Sequence, residues 1–183
     1  MTYYFDNAAS TKCDPNVVQK IIPFFETYYA NPSAYHVCGR EACDAMEIAR
    51  YEVANYLNCA PTEIIFTSGA TEANNLAIKS CAILCEKKKP YNFIISEIEH
   101  KSVLSIKDWL KCEGYETRLA KCLPSGVVDL EHLESLVDDN TLLISCMYIN
   151  NETGIIQPID KIGEFCKENG ILFHVDATQL FGK

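Results

Sequence analysis

The chain has 183 residues, 48% apolar and 22% charged, which is ordinary for a folded domain large enough to bury a real core. Its 16 basic and 25 acidic residues leave a net charge of -9. With no stripe of Lys and Arg, that balance argues against nucleic-acid and anionic-membrane binding. The opening Met1-Thr2-Tyr3-Tyr4-Phe5-Asp6 has no basic region followed by an apolar stretch, so a signal peptide is not expected. No apolar run approaches the roughly 18 residues of a spanning helix. A soluble, cytoplasmic protein is the expectation. The ten cysteines contain no Cys-x-x-Cys pair, the nearest neighbours being Cys81/Cys85 and Cys38/Cys43. Free thiols in a reducing compartment, and no metal site, follow from that spacing.

In chain order, Asp14-Pro15 reads as a helix start, with Asp as N-cap and Pro at the first helical position, and the helix is expected to reach about Tyr29. Asn31-Pro32-Ser33 breaks it. A second helix carries Ala42, Met46, Ala49, Val53 and Tyr56 at 3–4 spacing. Four short apolar runs follow: Ile64-Ile65-Phe66, Phe93-Ile94-Ile95, Leu142-Leu143-Ile144 and Ile171-Leu172-Phe173. Continuous hydrophobicity suits strands covered on both faces, as in a parallel sheet. A weaker strand, Thr117-Arg118-Leu119-Ala120, lies between the second and third. Helices are expected over 71–86, 101–113, 130–137 and 159–168, with Gly114 and Gly170 as C-caps and Lys87-Lys88-Lys89 as a solvated helix end. The alternation predicts an α/β, doubly wound, mainly parallel sheet.

In such sheets ligands bind beyond the carboxyl ends of the strands, and there the chain turns polar. After the first run, Thr67-Ser68-Gly69-Ala70-Thr71-Glu72 leads into a helix. Small residues, hydroxyls and a helix N-terminus suit a phosphate, although an ordinary Ser/Thr cap would look the same. The Walker lysine is missing. After the second run, His100 sits at a strand-to-helix junction, as either a stacking, proton-handling group or a plain cap. After the third, Asn150-Asn151-Glu152-Thr153-Gly154 offers either an Asx-turn or amide donors to a ligand oxygen. After the fourth, Asp176 closes an apolar strand, where a carboxylate needs a partner: a pyridinium nitrogen, a backbone N–H or an Arg. Phosphate cradle, histidine, amide and aspartate at one end of one sheet describe a pyridoxal phosphate site.

These same runs, together with Tyr4-Phe5-Asp6-Asn7-Ala8-Ala9, Asn74-Asn75-Leu76-Ala77-Ile78 and His174-Val175-Asp176-Ala177-Thr178-Gln179, resemble cysteine desulfurases of the class V, fold-type-I group of pyridoxal-phosphate enzymes. The resemblance covers essentially the whole chain, in order. It implies the large domain of a fold-type-I pyridoxal 5'-phosphate (PLP) transferase. Ala70 and Thr71 would hold the cofactor phosphate. His100 would stack over the ring and assist proton transfer. Asn151 and Gln179 would reach the phenolic oxygen or the substrate, and Asp176 the pyridinium nitrogen. It places Asp6-Asn7-Ala8-Ala9 near the substrate, and Asn31-Pro32-Ser33 with His36 near a homodimer interface. It implies L-cysteine as substrate, L-alanine as product, and a persulfide passed to a sulfur acceptor or scaffold protein for iron–sulfur cluster or thio-cofactor synthesis.

In that family the Schiff-base lysine follows a Ser-x-His motif downstream of the Asp-Ala-Thr-Gln segment, and the persulfide cysteine lies on a later loop. Lys183 matches the family's Gly-Lys just after that segment rather than the cofactor lysine, and none of the ten cysteines matches the persulfide one. The expectation is an N-terminal portion, inactive alone: residues 1–14 as an arm near the substrate site and 15–183 as an incomplete, truncated cofactor-binding large domain. Selenocysteine lyase or another class V activity is the first alternative. A non-catalytic cofactor-binding remnant is the second.

Overall fold

The computed structural model describes residues 3–85 and 89–182. Lys87, Lys88 and Lys183 lie outside the described residues. Contacts divide the chain into two compact units, Met1–Phe66 and Thr67–Lys183.

The first unit is helical. Helix α1 spans Pro15–Glu26, and Asp14 caps it by accepting the Asn16 N–H at 2.7 Å. It stops short of Tyr29 because the N–H groups of Thr27 and Tyr28 both fold back onto the Pro23 carbonyl. Helix α2 spans Val37–Leu57. His36 caps it, its Nδ1 accepting the Gly39 N–H at 3.2 Å. Gly39 itself is obligatory, since a Cβ there would meet the Ala34 carbonyl oxygen at 2.3 Å. Only Gly39, Ala42 and Ala54 of the two helices are buried. A 3₁₀ turn at Pro61–Glu63 follows.

The expected strand at Ile64-Ile65-Phe66 does not form. Ile64 is extended, but no described strand lies beside the segment to complete a ladder. Arg50 holds it instead, bonding the Ile64 carbonyl and placing its guanidinium 4.8 Å from the centre of the Phe66 ring.

The second unit is a three-layer α/β fold. It contains α3 (Ala70–Leu84), β1 (Asn92–Ser96), α4 (Lys101–Leu104), α5 (Ile106–Cys112), β2 (Glu116–Ala120), α6 (Leu130–Ser135), β3 (Thr141–Ser145), α7 (Ile159–Asn169) and β4 (Leu172–His174). The expected helix over 101–113 is interrupted at Ser105. Gly114 and Gly170 take positive φ, 88° and 67°, and terminate α5 and α7 as expected. The sheet order is β2-β1-β3-β4 and every ladder is parallel. β2, the strand with the least apolar sequence, is a full member paired over five residues, and its polar residues fit because it is an edge strand.

Successive residues of the central strands serve opposite layers. Phe93, Ile95 and Leu143 pack with Ile78, Ala82, Val103, Ile106 and Leu110 from α3–α5. Ile94 and Ile144 pack with Leu133, Ile162 and Cys166 from α6 and α7. The amino end of the sheet is closed by polar contacts: Asn92 donates to Asp138 at 2.8 Å, and Arg118 pairs with Glu116 and Asp138, each at 2.8 Å. Ile94 is fully buried at the middle of β1, whereas Ile83 is 68% exposed. Ile94→Ala is therefore expected to lower unfolding stability by about 2–5 kcal/mol, and Ile83→Ala by no more than about 0.5 kcal/mol, as measured by urea denaturation of each variant.

Candidate cofactor site

The chain leaves β1 for β2 on one side and β3 for β4 on the other, so the topological switch falls between β1 and β3. The crevice beyond the carboxyl ends at such a switch is where α/β sheets bind ligands. His100 follows β1, Asn150 and Asn151 follow β3, and Asp176 follows β4. The pairing of β3 with β4 continues past both strands, Cys146 N–H to His174 O at 3.1 Å and Tyr148 N–H to Asp176 O at 3.0 Å. That continuation fixes the backbone of Asp176.

Asp176 is 6% exposed. Its Oδ1 accepts the Thr178 N–H at 3.0 Å and the Thr178 hydroxyl at 2.5 Å, and its Oδ2 accepts the Asn74 amide at 2.8 Å. Burial by itself pushes this carboxyl's pKa up. The Thr178 and Asn74 donors and the nearby His174 outweigh burial and hold it below the ordinary carboxylate range. Among the described residues no Lys or Arg pairs with it. Three donors occupy three of a carboxylate's roughly four acceptor positions, leaving room for one more donor. A buried, ionised carboxylate with an open acceptor position fits a pyridinium N–H.

His100 caps α4. Its Nδ1 accepts the Ser102 N–H at 3.1 Å and lies 2.9 Å from the Ser102 hydroxyl. With Nδ1 an acceptor, the ring proton belongs on Nε2. Ser102 in turn accepts from the same Asn74 amide at 3.0 Å. Asp176 and His100 are thus joined through Asn74 and Ser102.

Ala70 and Thr71 open α3, preceded by Gly69, around which a Cβ would meet nothing within 4 Å. The first-turn N–H groups have no intrahelical acceptors and sit at the positive end of the helix dipole. The flanking hydroxyls differ from expectation. Ser68 binds Glu72 Oε2 through both its N–H and its hydroxyl, at 2.7 and 2.6 Å, and Thr67 donates to the Gly69 carbonyl at 3.1 Å.

The two adjacent amides divide the work that the sequence left undecided. Asn150 builds the turn: its Oδ1 accepts from Glu152 N, Thr153 N and Thr153 Oγ1 at 2.9–3.1 Å, and its Nδ2 donates to Ile98 O at 3.0 Å. The Asn151 side chain makes no hydrogen bond among the described residues and is half-buried. Gln179 is half-buried in the turn that follows Asp176.

Sequence reasoning assigned no role to Asn74, Ser102, Thr178 or Glu99. Asn74 carried one signal: it shares a buried stripe with Ile78 and Ala82, four residues apart, where an apolar residue is the rule. Glu99 lies beneath the site, 5% exposed. Its Oε1 accepts the Ser145 hydroxyl at 3.2 Å, while its Oε2 has no partner among the described residues. Ser145 also bonds His174 Nδ1 at 2.9 Å, and burial lowers the His174 pKa, against the pull of Asp176.

A fold and site of this kind define the class. The family profile "Aminotransferase class-V" matches residues 3–183, and the chain belongs to that family. Among its relatives, the mitosomal cysteine desulfurase of Trachipleistophora hominis is 44% identical over 182 residues, covering 98% of this chain and 41% of the relative. Cysteine desulfurase IscS of Ehrlichia chaffeensis is 44% identical over 180 residues, 98% of this chain and 44% of the relative. A solved NifS-like protein superposes with a TM-score of 0.94 at 43% identity, over 100% of this chain and 50% of that one. SspA in complex with cysteine gives 0.91 at 40% identity, covering 98% of this chain and 52% of that one. The chain therefore spans about half the length of the proteins it matches.

Burial, first, and the nearby Asp176 charge raise the Glu99 pKa from 4.5 to about 7, despite the Ser145 hydrogen bond. An acid raised in the folded state contributes stability that is fully present below its unfolded pKa and is lost as pH rises through the folded one. The window is about pH 4.5 to 7, and the amount on the order of 3 kcal/mol. Urea unfolding measured across that window is expected to show the loss in the native protein and a flatter profile in Glu99→Gln. An unchanged slope in the variant would show that Glu99 is not buried as the neutral acid.

Proposed function

We propose that the protein belongs to a PLP-dependent cysteine desulfurase, with this chain supplying the face of the site that recognises the cofactor. The observation that carries the reading is Asp176: a buried carboxylate kept ionised by Thr178 and Asn74, with an acceptor position open and no cation beside it among the described residues. Bound there, pyridoxal phosphate supplies an electron sink for charge developing at an amino acid's α-carbon.

The chain's residues take the following parts. Asp176 would accept from the ring nitrogen and favour its protonated form. His100, its Nδ1 engaged by Ser102, would stack on the ring and offer its Nε2–H for proton transfer. The N–H groups of Ala70 and Thr71, with the Thr71 hydroxyl, bind the phosphate. Asn151 and Gln179 donate to the phenolic oxygen or the substrate. L-cysteine is the proposed substrate and L-alanine the product, with the sulfur passing as a persulfide to an acceptor or scaffold protein. Support for the substrate comes from relatives named as cysteine desulfurases at 44% identity and from a related structure solved with cysteine. A homodimer is the proposed assembly. The ten free thiols, three of them (Cys13, Cys38 and Cys112) exposed, favour a reducing compartment such as the cytoplasm.

Titration with pyridoxal phosphate, followed by absorbance, tests the site. Asp176→Ala removes a charge-assisted hydrogen bond of about 1.5–3 kcal/mol, so the affinity is expected to fall roughly 10- to 100-fold with the circular dichroism unchanged. Alanine formation from L-cysteine by the enzyme containing this chain is expected to be lost in the same variant. Full affinity and full activity in Asp176→Ala would refute the assignment.

A further inference from the structure

We propose that Asn74 is a positioning residue that couples Asp176 to His100 through one side-chain amide. The inference rests on the cofactor reading above for its consequence, but the coupling itself is a property of the chain. Asn74, Ser102 and Asp176 come from three separate places, the first helix of the unit, the start of α4 and the end of β4, and meet only in the fold. Asn74 is 4% exposed.

The proton assignments follow from what each group can do. The Asp176 carboxylate only accepts, so Asn74 must turn its NH₂ rather than its oxygen toward it, at 2.8 Å. The second N–H of that NH₂ then points to the Ser102 oxygen, at 3.0 Å. Ser102, now accepting from Asn74, has its own proton directed at His100 Nδ1, 2.9 Å away. That nitrogen also accepts the Ser102 N–H at 3.1 Å. The protons therefore diverge from the Asn74 amide, one toward Asp176 and the other, through Ser102, toward His100, an arrangement set by the carboxylate's charge. The donor that Asn74 gives to Asp176 is also one of the groups keeping that carboxylate ionised, beside Thr178 and His174. Asn75 supports the same helix junction from the neighbouring position, donating to the Ser102 carbonyl at 3.4 Å.

A bond to one partner alone would make Asn74 local packing. A relay makes a change at position 74 visible at His100, which Asn74 does not bond. Nitrogen-15 NMR of the histidines, only four in the chain and assignable with His100→Gln, reads the hydrogen bonding of His100 Nδ1, and carbon-13 NMR of the carboxylates reads the Asp176 titration. Both are measured without cofactor. In Asn74→Leu, the His100 Nδ1 signal is expected to move toward the weakly bonded imine position and the Asp176 midpoint to rise. In Ser102→Ala, only the His100 signal is expected to move by a comparable amount. Pyridoxal phosphate affinity is expected to drop about tenfold in Asn74→Leu and less in Ser102→Ala. If Asn74→Leu fails to fold, Asn74→Ser, whose short hydroxyl cannot span both partners, carries the same expectation. A His100 signal unmoved by the change at position 74 overturns the coupling. Failure of the unsubstituted protein to bind the cofactor would overturn the proposed function and leave the NMR result to decide the coupling alone.

Discussion

A buried carboxylate has to be solvated by the protein, and much of the arrangement at this site follows from how Asp176 is solvated. Leaving an ionised group 6% exposed without donors would cost several kcal/mol. Thr178 supplies two donors from the adjacent turn, and Asn74 reaches across from α3 with a third. That last contact fixes the face α3 turns toward the sheet. It also brings the α3 N-terminus, with Ala70 and Thr71, to the same end of the fold. The requirement of one charge thus connects the α3 N-terminus, the histidine cap and the strand end.

The two ends of the sheet resolve their polar groups differently. At the amino end, Asn92, Asp138, Thr141 and Arg118 bond one another, and edge strand β2 is anchored by Arg118 to Leu136 O at 2.6 Å. At the carboxyl end, Glu99 keeps an oxygen without a partner, and Asn151 has no bond among the described residues. Open polar groups are not confined to that end, since Thr117 Oγ1, one residue in from the amino end of β2, is also buried without a partner among the described residues. The apolar layers between them, with Phe93, Ile94 and Ile144 fully buried, hold the two ends at a fixed separation.

Much of this was legible in the chain. Strands β1 and β3 announced themselves as continuous apolar runs because a strand covered on both faces has no polar side to show, whereas the fourth run forms β4 at the end of the sheet order with Leu172 49% exposed. Gly114 and Gly170 marked helix ends because a positive φ favours glycine. Ile64-Ile65-Phe66 misled for a related reason: an apolar run signals burial or pairing, but a ladder needs a neighbour, which no local pattern contains. β2 was understated because its polar residues reflect an edge position, and edge position is a property of the sheet order.

The sequence by itself determined the alternation of helices and strands, the parallel sheet and the placement of polar residues after each strand, because those depend on periodicity and on local backbone preference. Its resemblance to cysteine desulfurases singled out Ala70, Thr71, His100, Asn151, Asp176 and Gln179 as candidates. Only the tertiary structure decided which groups solvate Asp176, which of two adjacent asparagines builds the turn, and that Glu99 is held as a buried acid. Those outcomes depend on contacts between residues far apart in the chain, 102 positions in the case of Asn74 and Asp176. Burial and hydrogen-bond partners at such distances are set by packing, and packing is a property of the whole fold.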